Sequence, residues 1–282
     1  MKDFGIKLVF FGISDKGMRR DNNEDHFIVA DLSRKVIGVY DNRVTPDLIC
    51  HEIGANGTIV AVADGLGGHE KGEVASQIAV EATVDVLFDM THHCEFSSDW
   101  LVTAVQHAHT TIQRNHGEEE AGRGMGSTLT AVHIGDGVMT IAQVGDSRAY
   151  MFRDGRLWLL TEDQTLVGLL QKRGMLTPEQ AETHPAKHVI LQALGQDKEV
   201  VPELRSATLQ HDDYLLLCTD GLSSYVEQPT IEAILAADDD EYTHCQRLVD
   251  AANAAGGADN VTVLLVRLKM YGTTPGTQEA ML

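Results

Sequence analysis

Two Asp-Gly pairs set the terms on which this chain folds. They stand between apolar runs in "HIGDGVM" (133–139) and "MFRDGRLW" (151–158). Both residues of such a pair tolerate positive φ, so a two-residue turn there joins neighbouring strands as a hairpin. Hairpins make antiparallel sheet. Further strand-like runs are "KLVFFGIS", "HFIVADL", "TIVAVAD", "STLTAVHI", "VMTIAQVGD", "AYMFR", "RLWLL", "YLLLCTD" and "VTVLLVRLK". Two long helices show in apolar spacing: Ala75, Ile78, Ala79, Ala82 and Val86 form one stripe, and Leu101, Ala104, Val105, Ala108 and Ile112 the other. Ser97, Ser98 and Asp99 offer N-caps to the second. Two shorter helices are expected over 229–237 and 241–255, the latter stopped by Gly256 and Gly257.

The segment 163–200 interrupts the strand series and reads as an inserted flap, with Thr177-Pro178-Glu179-Gln180 as a capping box. The expected organisation is one domain over 1–270 and a flexible tail over 271–282. Two antiparallel sheets packed face to face, helices outside, satisfy these elements. The stretch from Arg34 to Asn56 carries no clear assignment.

Bulk properties limit the partners. With 43% hydrophobic residues the chain builds a core, and its net charge of −20 argues against nucleic acid or an anionic membrane as partner. Four cysteines form no C-x-x-C pair, which fits a reducing compartment. The N-terminal run Ile6–Ile13 is broken by Lys7 and Gly12 and does not read as a signal peptide. A cytoplasmic, monomeric protein is expected.

The stretch "IVAVADGLGGHEKGEVASQ" ends an apolar run in one carboxylate, Asp64, among Gly65, Gly67 and Gly68. It is not a phosphate-cradling loop. The dinucleotide pattern needs glycine where Glu70 stands, and a P-loop needs Gly-Lys-Ser/Thr where the order is Lys71-Gly72. Other strand edges are acidic too. "IAQVGD" ends in Asp146, "LLLCTD" ends in Asp220, Asp259 opens "VTVLLVRL", and Glu24-Asp25 opens "HFIVAD". Paired side by side, such strands gather carboxylates at one end, where mutual repulsion and burial raise their pKa values. A divalent cation removes that cost, and an all-oxygen donor set favours Mg²⁺ or Mn²⁺.

Eight segments, in order, resemble the metal-dependent serine/threonine protein phosphatases (PPM, type 2C), bacterial branch: "GMRRDNNED", "VAVADGLGGHEKGEVAS", "GMGSTLTAV", "IAQVGDSRAY", "LLTEDQTLVGLLQKRGMLT", "HPAKHVILQALG", "LLLCTDGLSSYV" and "ADNVTVLLV". The resemblance implies an α+β fold, a four-layer αββα sandwich of two antiparallel sheets flanked by helices, with the flap inserted. It implies hydrolysis of phosphoserine and phosphothreonine by direct attack of a metal-bridging hydroxide. Phosphorylated proteins are the implied substrates, opposite a cognate kinase. Two Mn²⁺ or Mg²⁺ ions would be bridged by Asp64, one served by the Gly65 carbonyl and, through water, by Glu24, the other by Asp220 and Asp259. Asp25 would orient metal-bound water, Asp146 with Asp220 would hold a third, weaker ion, and Arg20 would grip the substrate phosphate.

Departures from the family pattern are Leu66 in place of a histidine found in many eukaryotic members, Ser224 in place of Asp or Asn, and Asp163-Gln164-Thr165 in place of Asp-His-Ser. His69 reads as a loop residue. A catalytically silent binding module on the same fold and a small-molecule phosphatase stand as alternatives.

Overall fold

The computed structural model describes residues 4–40, 43–44, 46–67, 70–91, 96–115 and 124–272. His69, Cys94 and all of the expected tail beyond Gly272 lie outside them. The strands are β1 (Phe4–Asp15), β2 (Asp25–Asp31), β3 (Val36–Ile37), β4 (Val39–Tyr40), β5 (Arg43–Val44), β6 (Cys50–Glu52), β7 (Thr58–Leu66), β8 (Gly126–Ser127), β9 (Leu129–Gly135), β10 (Val138–Val144), β11 (Arg148–Arg153), β12 (Arg156–Leu159), β13 (Glu203–Thr208), β14 (Tyr214–Cys218) and β15 (Val261–Gly272). The helices are α1 (Pro46–Ile49), α2 (Glu70–Met90), α3 (Ser98–Asn115), α4 (Leu166–Lys172), α5 (Pro178–Glu182), α6 (Asp220–Ser223), α7 (Gln228–Leu235) and α8 (Glu241–Ala254).

One sheet runs β12-β11-β14-β15-β1-β5-β4 with β6 also on β1; the other runs β13-β10-β9-β7-β2-β3 with β8 on β7. Every named pairing is antiparallel. The hairpins β9–β10 and β11–β12 turn at Asp136-Gly137 and Asp154-Gly155, whose φ values are 51° and 74°, and 53° and 75°. These are the turns the sequence demanded.

Strand alternation distributes the core over three layers. From β7, Val60 and Val62 enter the cluster between the sheets, with Phe27 and Val29 of β2 and Leu264 and Val266 of β15. Ile59, Ala61 and Ala63 point the other way, against Ala75, Ala79 and Ala82 of α2. On the far side, Leu216 and Cys218 of β14 and Val263 and Leu265 of β15 meet Ile231 of α7 and Leu248 of α8. The order is helices, sheet, sheet, helices. Strands covered on both faces read as unbroken apolar runs, which is why "TIVAVAD" shows no alternation.

Among α3's residues, Leu101, Ala104, Val105, Ala108 and Ile112 are all buried, as their spacing requires. α2 is buried more widely than one stripe, because it lies between the sheet and α3. α5 carries the reciprocal Thr177–Gln180 capping box. The unassigned stretch after Arg34 builds β3 to β6 and α1, short pieces that extend the sheet edges. Among the described residues no helix is long and apolar enough to cross a membrane.

Candidate active site

The topology brings the acidic strand ends together. β2 and β7 run antiparallel with Asp25 directly opposite Asp64. Glu24 precedes β2, and Asp146 follows the end of β10. In the other sheet β14 and β15 are neighbours, paired to Cys218↔Val263. Beyond that pair the chain turns, so Asp220 at the start of α6 and Asp259 just before β15 share one end. Gly221 makes the turn feasible, since a Cβ there would run into the Asn260 carbonyl.

The gathered charges act on one another. Burial, reinforced by the charges of Asp25, Asp220, Asp146 and Asp259, holds Asp64 well above the usual carboxylate range. Asp25 is pushed up to about 7, by burial first; hydrogen bonds from Thr219 and Thr262 oppose the shift and the charges of Asp220 and Asp259 add to it. Asp146 rises to about 7 through burial and the charges of Asp220 and Asp163, and Asp220 to about 6 through burial and Asp259. The flap residue His188 is close enough to draw Asp220 back down, as is Arg20. Asp25 Oδ1, Asp146 Oδ1 and Asp220 Oδ1 are buried and have no hydrogen-bond partner among the described residues. Buried carboxylate oxygens are ordinarily satisfied, and leaving one unpaired costs about 1–3 kcal/mol or more. Three at one end of a sandwich form a donor set suited to a hard cation. Among the described residues no three His, Cys, Asp or Glu side chains close tightly enough to hold an ion by themselves. Such a set is completed by backbone carbonyls and water, as hard cations commonly require.

The Gly65 backbone is packed tightly beside these carboxylates. Gly65 is buried, its N–H donates to the Glu24 carbonyl at 3.1 Å, and a Cβ at this position would collide with the Gly72 carbonyl. The Glu24 carboxylate lies against Gly72 in turn. Only glycine lets these two backbone segments and one carboxylate share the space. Asp64 is fixed through its backbone: its N–H donates to Thr128 Oγ1 at 2.9 Å, and its carbonyl accepts from Thr128 N at 2.9 Å and Ser127 Oγ at 3.0 Å. Arg20, half exposed at the rim, donates from Nη2 to Asp259 Oδ2 at 2.8 Å.

All the residues singled out in the sequence, Arg20, Glu24, Asp25, Asp64, Gly65, Asp146, Asp220 and Asp259, therefore lie in this region. Sequence reasoning missed the residues that hold them. Asn260 accepts from Glu24 N at 2.8 Å and donates to the Lys16 and Asn22 carbonyls, each at 2.9 Å, tying down the loop that carries Arg20. Thr219 and Thr262 support Asp25. Arg148 makes a two-pronged pair with Asp163, at 2.8 and 2.6 Å, fastening the root of the flap. Asn260 follows Asp259 and Thr219 precedes Asp220, so adjacency to a predicted site residue was the available signal. Between the flap and α6–α7 a cavity of about 750 Å³ opens, lined by Asp146, Asp220, Asp163, His188, Ser224 and Ile231 among others.

A site of this make-up on an antiparallel sandwich has known counterparts. The profile of the family described as Protein phosphatase 2C matches residues 40–256. Protein phosphatase PhpP of Streptococcus pneumoniae is 36% identical over 260 residues, 91% of this chain and 96% of that protein. The crystal structure of the Mycobacterium tuberculosis serine/threonine phosphatase PstP/Ppp matches with a TM-score of 0.76 at 34% identity, covering 93% of this chain and 99% of the other. A structure of the PstP catalytic domain in complex with two manganese ions matches with a TM-score of 0.74 at 33% identity, over 94% of this chain and 99% of that one. The chain belongs to the protein phosphatase 2C family, the metal-dependent serine/threonine phosphoprotein phosphatases.

Proposed function

We propose that this protein removes phosphate from phosphoserine and phosphothreonine in proteins with two divalent cations, Mn²⁺ or Mg²⁺, held by the gathered carboxylates. The observation that carries this reading is the set of three buried, unpartnered oxygens on Asp25, Asp146 and Asp220 beside Asp64. Asp64 would bridge the ions, the Gly65 carbonyl and Glu24 would serve one, and Asp220 and Asp259 the other. Bound there, the cations supply an activated water nucleophile and neutralise charge on the phosphoryl group.

The protein's own groups do the rest. Arg20 keeps donors free at the rim, and its fork matches phosphate oxygens in a way lysine cannot. Asp25, anchored at Oδ2, offers Oδ1 to orient the attacking water. Asp146 with Asp220 would hold a third ion more weakly, since Ser224 lines the neighbouring cavity with a neutral hydroxyl. The substrates are products of a serine/threonine kinase, and the enzyme acts on them as a cytoplasmic monomer.

Hydrolysis of p-nitrophenyl phosphate and of a phosphothreonine peptide, with EDTA, Mg²⁺ or Mn²⁺, tests the reading. Metal-dependent turnover of both is expected. Turnover of the aryl phosphate alone would redirect it to a small-molecule substrate. Absence of turnover in protein that binds metal would leave a silent module on the same fold.

A further inference from the structure

Thr219 occupies the N-cap position of α6, with extended backbone at φ −80° and ψ 172°. Threonine at such a position ordinarily turns its hydroxyl to the free N–H groups of the first turn. This one makes no cap hydrogen bond. Its Oγ1 lies 2.7 Å from Asp25 Oδ2, across 194 residues of sequence, and 3.0 Å from the backbone N of Thr262. The direction of these bonds is fixed by chemistry. The Thr262 N–H can only donate, so the hydroxyl accepts there, and its single proton goes to Asp25.

The same threonine closes a second bond, from its own N–H to the Thr262 carbonyl at 3.2 Å. Thr219 and Thr262 thus continue the β14–β15 ladder one step past Cys218↔Val263, with a side-chain oxygen accepting where a strand carbonyl would. The Thr262 hydroxyl meets Ser14 Oγ at 2.7 Å, Asn23 Nδ2 donates to Ser14 Oγ at 2.8 Å, and Asn23 Oδ1 accepts from Asp25 N at 3.2 Å. This circuit joins the two sheets beneath the site. It occupies Asp25 Oδ2 and leaves buried Oδ1 as the oxygen without a partner.

We infer that Thr219 is a positioning residue: its hydroxyl fixes the orientation of the Asp25 carboxylate and ties it to the turn that carries Asp220. The inference rests on the proposed role of Asp25. Misplacing a reacting group by about 1 Å can cost about a hundredfold in rate, so losing this anchor is expected to lower kcat at least tenfold, by the same reasoning.

The test is a double-mutant cycle of Thr219→Val and Asp25→Ala on Mn²⁺-loaded enzyme with a phosphothreonine peptide. Thr219→Val should lower kcat about tenfold or more while KM moves less than about threefold, and Thr219→Ser should restore kcat. In the Asp25→Ala background Thr219→Val should cost less than about twofold, because its partner is gone. Calorimetric titration of the metal-free proteins with Mn²⁺ should show weakened binding in Thr219→Val and parental binding in Thr219→Ser. Should Thr219→Val fail to fold, Thr219→Ala removes the same hydroxyl with less steric demand. A folded Thr219→Val with parental kcat, or the same loss repeated in the Asp25→Ala background, overturns the inference. Full activity in Asp25→Ala alone would instead overturn the proposed site.

Discussion

The two ends of one strand pair behave in opposite ways. At one end of β2 and β7, Asp25 faces Asp64; at the other, Asp31 faces Thr58. Asp25 and Asp31 are each about 1% exposed. Asp31 is fully engaged: Oδ1 accepts from Ser33 N and Arg34 N, both at 2.9 Å, and Oδ2 accepts from Arg34 Nε at 2.6 Å. His51 Nε2 stands 4.0 Å away. Asp25 has one oxygen anchored and the other without a partner, among four further carboxylates. Equal burial, then, does not make equal roles. A buried aspartate that closes a turn stabilises the fold, and one left with an unpaired oxygen among like charges is a place for a cation.

Removing charge at each end of the strand pair should separate the two roles most strongly. Asp64→Asn or Asp220→Asn should abolish turnover while leaving the metal-free protein as stable as the parent or more so, because repulsion is relieved. Residual normal activity in either would remove it from the site. Asp31→Asn should do the reverse. An amide donor in place of Oδ2 would face the Arg34 Nε donor, for a loss of about 1–3 kcal/mol in stability, with kcat/KM unchanged. Urea unfolding and peptide hydrolysis on the same samples would separate the two outcomes.

Metal-free stability should also depend on pH in a particular direction. Asp25 and Asp146 titrate at about 7 and Asp220 at about 6 in the folded state, against an ordinary 3.8. Between these values the unfolded chain has released protons that the folded one retains. Stability in EDTA should therefore fall as pH rises from about 4 to about 7 and level off above. A saturating divalent cation should lift Tm most at the upper end of that window. A Tm that climbs with pH in EDTA would contradict the raised carboxylates. The smallest effect is expected at the rim: Arg20→Ala should raise KM for phosphopeptides with a lesser drop in kcat, and an unchanged KM would exclude it from phosphate binding.

Much of the sandwich was legible because its signals are local. Asp-Gly turns at 136 and 154, the stripes of α2 and α3, and the capping box at Thr177 each need only neighbouring residues. β13 was not, because "ELRSAT" is an edge strand with much of its surface open, and its pairing with β10 is set by tertiary contact. The pieces from β3 to β6 are two or three residues long and leave no period to read. At the site, the carboxylates announced themselves as acids closing apolar runs. The supporting bonds did not, since Thr219–Asp25 and Asn260–Glu24 span 194 and 236 residues. Apart from the family resemblance, the strand pattern alone does not separate Asp25 from Asp31, since each is an aspartate at an end of the same apolar run; what separates them is that Ser33 and Arg34 satisfy Asp31, while the fold sets Asp25 among other carboxylates.

Calorimetric titration of metal-free protein with Mn²⁺, comparing the parent, Asp31→Asn and Asp64→Asn, would show whether the unpaired carboxylates are a cation site and the satisfied one is not. Binding to the parent and to Asp31→Asn alike is expected, with its loss in Asp64→Asn. Undiminished binding in Asp64→Asn, or loss in a folded Asp31→Asn, would contradict it.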